Sequence, residues 1–170
     1  MNGNTGVDYL SVEDGANTAN EVMGGKDQDT IEDRSNGRNT LNGNMDNDLI
    51  HVFSGSSFKG DTVYGGKGND RILFESHAGG ANTISGDVGN DTLILGDGRD
   101  TILFHAADNG ADRVEGFSYA GGDRIGIPVG MTWSEPASAQ GNVQIDTPTG
   151  SMELIGVSHS TFNVAWVTGT

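Results

Sequence analysis

Five glycine-rich turns, each ending in aspartate, carry most of the chemistry this chain could perform. They read Gly24-Gly-Lys-Asp27-Gln-Asp29, Gly43-Asn-Met-Asp46-Asn-Asp48, Gly65-Gly-Lys-Gly68-Asn-Asp70, Gly86-Asp87-Val-Gly89-Asn-Asp91 and Leu95-Gly-Asp97-Gly-Arg-Asp100. Glycine reaches the positive φ angles that bend a turn until several carbonyl oxygens converge. Carboxylates and carbonyls, without thiolates or grouped imidazoles, suit a hard cation such as Ca2+, which accepts about six to eight oxygens in flexible geometry. A single turn offers only part of such a shell. A stacked neighbour must supply the remainder, so each ion would rivet two successive turns.

The elements that could stack these turns follow from a triplet: Asp or Asn, any residue, then a branched aliphatic. It occurs eleven times, with its first residue at Asn20, Asp29, Asn39, Asp48, Asp61, Asp70, Asn82, Asp91, Asp100, Asp112 and Asp123. Within pairs the step is nine residues, and as far as Asp91 the whole unit repeats every nineteen to twenty-two. A period of that length marks a repeat architecture. Side chains alternate along a strand, so the triplets predict one inward ladder of Val22, Leu41, Val63, Ile84 and Ile102. A facing ladder would hold Ile31, Ile50, Ile72 and Leu93. The fold expected is all-β, a thin parallel β-roll, or β-solenoid.

Gly65-Gly66-Lys67-Gly68-Asn69-Asp70-Arg71-Ile72-Leu73 matches every fixed position of G-G-x-G-x-D-x-U-x, with U a large aliphatic, and the other turns depart at one or two positions. Residues 20–126 therefore resemble the RTX (hemolysin-type) calcium-binding repeat family. Beyond Asp100, Ala111-Asp112-Arg-Val-Glu-Gly-Phe117 and Gly121-Gly-Asp123-Arg-Ile-Gly-Ile127 are similar to the closing segment of RTX modules in secreted metalloproteases and mannuronan C5-epimerases. The resemblance implies Ca2+ as the cofactor. The candidate ligands are Gly24, Asp27, Asp29, Gly43, Asp46, Asp48, Gly65, Gly68, Asp70, Gly86, Asp87, Gly89, Asp91, Asp97, Asp100, Asp112 and Asp123.

The turns before Asp29, Asp48, Asp70 and Asp91 fall on one edge of such a roll. On the other, Asn20, Asn39 and Asn82 replace the aspartate, and a neutral amide binds calcium more weakly. Calcium is expected along the aspartate edge, with few or no ions on the asparagine edge except near Asp100. The competing account is that Asp and Asn simply bond nearby backbone amides, as turn residues do. For any single triplet that account is the better one, and for the four stacked aspartate turns calcium is.

Composition supports a metal-dependent fold. The chain has 28 glycines, few aromatics and a formal charge of −15, so apolar burial alone is a weak source of order. About four divalent ions would roughly halve that charge, and binding would then be part of folding. With no cysteine, disulfides and thiolate sites are excluded. The acidic balance argues against nucleic acid as a partner. There is no apolar run of membrane-spanning length, and Met1-Asn-Gly-Asn-Thr-Gly6 does not read as a signal peptide.

Three regions are expected: an irregular N-terminal rung or linker over 1–19, the roll over 20–126, and a C-terminal antiparallel β cap over 127–170. In that last region Asn142–Asp146 and Ser151–Val157 alternate around a turn at Pro148-Thr-Gly150. By resemblance, the tail implies a type I secretion signal, the secretion machinery as a partner, and an extracellular or cell-surface location. The abrupt start leaves room for an upstream catalytic or adhesive domain.

Catalysis is not expected in this region. His51, His77, His105 and His159 are scattered without an HExxH pattern, no G-x-S-x-G elbow is present, and three-residue strands leave little outward face. A second reading is binding of an acidic polysaccharide, alginate for example, at Arg34, Arg38, Phe58, Lys59 and His77 on the asparagine edge. Lower alternatives are an adhesin or surface-layer segment, or an ice-binding face built on Thr40, Thr62, Thr83 and Thr101.

Overall fold

Branched aliphatics at one position per strand leave a chain no way to bury them except by stacking strand on strand, and the structure does this throughout. The computed structural model describes residues 1–13, 19–53, 60–76, 79–105 and 110–170. The strands in chain order are β1 (Asn2–Thr5), β2 (Tyr9–Val12), β3 (Glu21–Lys26), β4 (Thr30–Asp33), β5 (Thr40–Met45), β6 (Leu49–Val52), β7 (Thr62–Lys67) and β8 (Arg71–Phe74). They continue with β9 (Thr83–Val88), β10 (Thr92–Ile94), β11 (Thr101–Leu103), β12 (Ala111–Glu115), β13 (Arg124–Ile127), β14 (Asn142–Asp146), β15 (Ser151–Ser158) and β16 (Val167–Gly169). Alternate strands fall into two sheets, ordered β1-β3-β5-β7-β9-β11-β13-β16 and β14-β15-β12-β10-β8-β6-β4-β2. Every pairing is parallel except β14 with β15. This is a parallel β-roll.

Both predicted ladders are in register. Val22 pairs with Leu41, then Val63, Ile84, Ile102 and Ile125 in the first sheet. In the second, Leu10 pairs with Ile31, followed by Ile50, Ile72, Leu93, Val114 and Leu154. All of these are buried and form one core between the sheets. Thr40, Thr62, Thr83 and Thr101 stack on the outside as one column, which ends at Glu21 and Arg124.

Two features differ from the reading of the sequence. Strands β3, β5, β7 and β9 run six residues rather than three, because pairing continues into the glycine turn, where Gly25, Asn44, Gly66 and Asp87 align. Residues 2–12 form a regular rung, Asn2 pairing with Met23 and Tyr9 with Thr30.

Past residue 127, β15 and β16 add one more parallel rung, against β12 and β13 respectively. The expected antiparallel pair, β14 with β15, covers one side of that rung, its turn closed by Thr147 N donating to the Gly150 carbonyl at 2.8 Å. Trp166 is the centre of the closure, with ring centroids 5.7 Å from Phe117, 5.2 Å from Tyr119 and 5.5 Å from Phe162. An apolar rung left open at the end of a solenoid would meet water, so a cap of this kind is required.

Truncating one rung of the core tests the packing. Ile72→Ala should cost about 2–5 kcal/mol in denaturant unfolding with calcium present, while Thr92→Ala on the outer surface should stay within about 0.5 kcal/mol.

Candidate metal centre

The turns joining the first sheet to the second share one backbone shape. Numbering each from its first glycine, the second residue has positive φ in all five described turns: Asn4 72°, Gly25 119°, Asn44 77°, Gly66 109° and Asp87 67°. So does the fourth: Gly6 102°, Asp27 76°, Asp46 72°, Gly68 130° and Gly89 140°. Only Gly, Asn and Asp occupy these positions, the residues that tolerate a left-handed backbone.

The sixth residue of each turn is the aspartate, and its two oxygens have separate roles. One accepts a backbone amide from the turn before: Asp8 N donates to Asp29 Oδ1 at 2.8 Å, Asp29 N to Asp48 Oδ1 at 2.8 Å, and Asp48 N to Asp70 Oδ1 at 2.8 Å. Asp70 N to Asp91 Oδ1 and Asp91 N to Asp112 Oδ1 continue the ladder at 2.7 and 3.0 Å. The other oxygen, Oδ2 of Asp8, Asp29, Asp48, Asp70 and Asp91, is buried with no hydrogen-bond donor among the described residues. Leaving an anionic oxygen buried and unpaired is costly.

Four of these five orphaned oxygens, those of Asp8, Asp29, Asp48 and Asp70, face a carbonyl of the next turn across the space above the first glycine. A methyl group placed on Gly24 would stand 2.7 Å from Asp29 Oδ2 and 2.6 Å from the Gly43 carbonyl oxygen. On Gly65 the corresponding distances are 2.5 Å to Asp70 Oδ2 and 2.5 Å to the Gly86 carbonyl oxygen. The Gly3 cradle is closed in the same way by Asp8 Oδ2 and the Gly24 carbonyl, and the Gly43 cradle by Asp48 Oδ2 and the Gly65 carbonyl. At Gly86 the methyl would meet Asp91 Oδ2. These cradles fit a hard cation held by one carboxylate per turn and by carbonyls. Among the described residues no three acidic or imidazole side chains converge, so the donor set is not that of a transition metal.

Burial pushes these carboxyls up from their ordinary range near 3.8: Asp48 to about 7, Asp70 to about 6 and Asp91 to about 8. The amide bonds to Oδ1 oppose the shift, and neighbouring aspartates add to it. Without a cation, protons are the alternative charge partner.

The opposite edge repeats the ladder and lacks the cradles. Asn20 N donates to Asn39 Oδ1 at 2.9 Å, Asn39 N to Asp61 Oδ1 at 2.8 Å, and Asp61 N to Asn82 Oδ1 at 2.9 Å. Here the second atom is satisfied internally. Asn39 Nδ2 donates to Asp33 Oδ2 at 2.5 Å and to Ser35 Oγ at 2.7 Å, and Asn82 Nδ2 to Asp100 Oδ1 at 2.8 Å. Asp123 Oδ2 accepts Ser118 N at 2.8 Å. The aspartates of this edge differ from its amides: burial raises the carboxyls of Asp61 and Asp100 alike to about 7, and Asp100 Oδ2 is buried with no hydrogen-bond donor among the described residues. The chain neighbour of Asp100, Arg99, and its ladder partner, Asp123, line a cleft of 560 Å³ together with Gly80, Gly96, Gly98 and Gly116.

Several residues singled out in the sequence have other places. Asp27 and Asp46 are exposed at the fourth position, where their carboxylates accept Gly6 N at 3.0 Å and Asp27 N at 3.1 Å. Gly68 and Gly89 supply left-handed backbone, and Asp97 is exposed at the rim of the Asp100 cleft. Asp87, at a second position, bonds Ser85 Oγ and His105 rather than a cradle. Asp112 ends the ladder on the aspartate edge.

Of the residues suggested for glycan binding, Arg34 is held by Glu32 at 2.8 Å and stacks 3.6 Å over Phe53. Arg38 is exposed, and Phe58, Lys59 and His77 lie outside the described residues. Gly3 and Asp8 were missed, although Gly3-Asn-Thr-Gly6-Val-Asp8-Tyr-Leu10 carries the nonapeptide spacing with Asn at its second position.

Residues 35–55, 59–75 and 78–114 match the family model of the RTX calcium-binding nonapeptide repeat, in four copies. No curated protein matches the chain. The matched repeats are calcium-binding, and they contain the cradles of Gly43, Gly65 and Gly86. The same geometry continues two turns further toward the N-terminus, at Gly24 and Gly3. The chain is a calcium-binding repeat module folded as a parallel β-roll.

Filling one cradle tests the geometry. Gly43 has no positive φ to forbid a side chain, so Gly43→Ala should lower calcium stoichiometry by direct titration through contact with the ligand oxygens. Asp48→Asn should also lower it, since the amide keeps Oδ1 for the ladder and loses the charge.

A second test uses pH. The metal-free roll binds more protons than the unfolded chain between about pH 4 and the raised values of 6 to 8, so its stability falls as pH rises through that window. Chelator-treated protein should therefore melt at a higher temperature near pH 5 than near pH 8, and calcium binding near pH 6 should release protons.

Proposed function

We propose that this module is a calcium-triggered folding element of an exported protein. The observation that carries the reading is the row of buried, unpartnered Oδ2 atoms from Asp8 to Asp91. Ca2+ would supply the positive charge those carboxylates lack, and Asp8, Asp29, Asp48, Asp70 and Asp91 with the turn carbonyls would hold it. The chain's own residues do the rest: Oδ1 sets the spacing of the turns, the left-handed second and fourth residues aim the carbonyls, and the aliphatic ladders close behind them.

Several features favour a role outside the cell. A chain of formal charge −15 with 28 glycines has little drive to order while its carboxylates repel. Extracellular calcium modules work at about 10⁻⁴ to 10⁻³ M, so the chain would stay loose at cytosolic calcium and compact after export. Such behaviour suits passage, unfolded, through a type I secretion machinery that reads a C-terminal signal. In this reading the module itself is non-catalytic, stabilising the extracellular protein that carries it.

Far-UV circular dichroism of chelator-treated protein should show a cooperative gain of β signal on adding calcium, with no equivalent gain from magnesium. A spectrum already folded in chelator at neutral pH and indifferent to calcium would defeat this reading.

A further inference from the structure

The six-residue strands give the first sheet a wide outer face, and one part of it is built as a ligand cleft. Register places Asn42 beside Tyr64 and Tyr64 beside Ser85, with Asn44, Gly66 and Asp87 aligned in the next row. One rung on, the His105 ring meets Asp87 Oδ1 through Nδ1 at 2.8 Å, and Ser85 Oγ donates to the same oxygen at 2.6 Å. A carboxylate only accepts, so Nδ1 carries the ring proton, and the imidazole is held in one orientation.

The Tyr64 ring lies 6.2 Å from that of His105. Asn42 Oδ1 accepts Asn44 N at 2.9 Å, which leaves the Asn42 NH2 as a donor. Lys67 is exposed at the rim and has no ion pair among the described residues, on a chain whose acids outnumber its Lys and Arg by 15. Asn42, Asn44, Lys67, Asp87 and His105 together line a shallow cleft of 300 Å³.

We propose that this cleft binds a hexuronate unit of an acidic glycan. Amide, imidazole and carboxylate groups side by side offer both donors and acceptors, as ring hydroxyls require. A phosphate would need donors alone, and this lining mixes donors with acceptors. Tyr64 presents an aromatic ring for the apolar side of a sugar, and Lys67 supplies the cation for the uronate carboxylate. The cleft exists only where successive rungs are stacked, so this inference rests on the calcium-ordered roll.

The experiment follows backbone amide signals of isotope-labelled protein in calcium, with circular dichroism on the same samples. Trigalacturonate should shift the signals of Asn42, Asn44, Tyr64 and His105 saturably, and cellotriose should not. Lys67→Gln should weaken binding by about tenfold or more, whereas Arg113→Gln on the second sheet should leave it unchanged. Absence of a saturable shift in protein that is demonstrably folded overturns the proposal, as does equal binding of cellotriose or an unaltered affinity in the Lys67 variant. Protein that fails to fold in calcium defeats the calcium reading as well, and circular dichroism separates that failure from loss of the cleft alone.

Discussion

Burying an ionised carboxylate costs several kcal/mol unless it is paired, and this roll buries a column of them along one edge. Asp29, Asp48, Asp70 and Asp91 are each no more than 3% exposed. One oxygen of each is spent on the backbone of the neighbouring turn, so pairing the other requires a charge from outside the chain. Everything else in the repeat follows from that demand. Glycine stands first in the turn because a side chain there would collide with the aspartate oxygen and the carbonyl of the next turn, and left-handed residues stand second and fourth so that the chain can bend around them. The aliphatic stands eighth because the strand must then turn inward to a narrow core.

The two edges separate backbone order from metal binding within a single molecule. Both carry the same side-chain-to-amide ladder, at 2.7–3.0 Å on the aspartate edge and 2.8–3.2 Å on the other. The ladder alone therefore says nothing about calcium. What distinguishes the edges is the remaining atom: an orphaned oxygen at every turn from Asp8 to Asp91 on one side, and on the other an amide nitrogen with its own acceptors at Asn39 and Asn82, with Asp100 Oδ2 orphaned among them. The two accounts weighed from the sequence, turn bonding and calcium ligation, do not compete, because they call on different atoms of the same residue.

This explains how much the sequence could disclose. Strand faces and register were legible because a one-residue slip would turn each ladder outward, and aliphatic spacing records that constraint directly. The main cradles were legible because they need glycine and aspartate five residues apart. The part of Asp27 and Asp46 was not legible, because aspartate suits a left-handed backbone as well as a metal, and composition cannot distinguish the two uses. Asp8 escaped because Asn4 stands where a second glycine was sought, although Asn serves that φ almost as well. The width of the first sheet was hidden because pairing across Gly25, Asn44, Gly66 and Asp87 depends on backbone alignment between rungs rather than on any side-chain pattern.

The asymmetry of the edges also bears on how the roll can order. In a stack where each rung touches only its neighbours, stability is a sum of local and nearest-neighbour terms. Here the neighbour term on the amide edge is available at any calcium level at Asn39 and Asn82, whose groups are satisfied within the chain. On the aspartate edge the same term is opposed by repulsion until cations or protons arrive. The C-terminal rung differs again, because Trp166, Phe117, Tyr119 and Phe162 give it aromatic burial that the thin central rungs do not have. Order that depends least on calcium therefore lies at the aromatic cap and along the amide edge. The aspartate edge is the part whose closure bound calcium would favour.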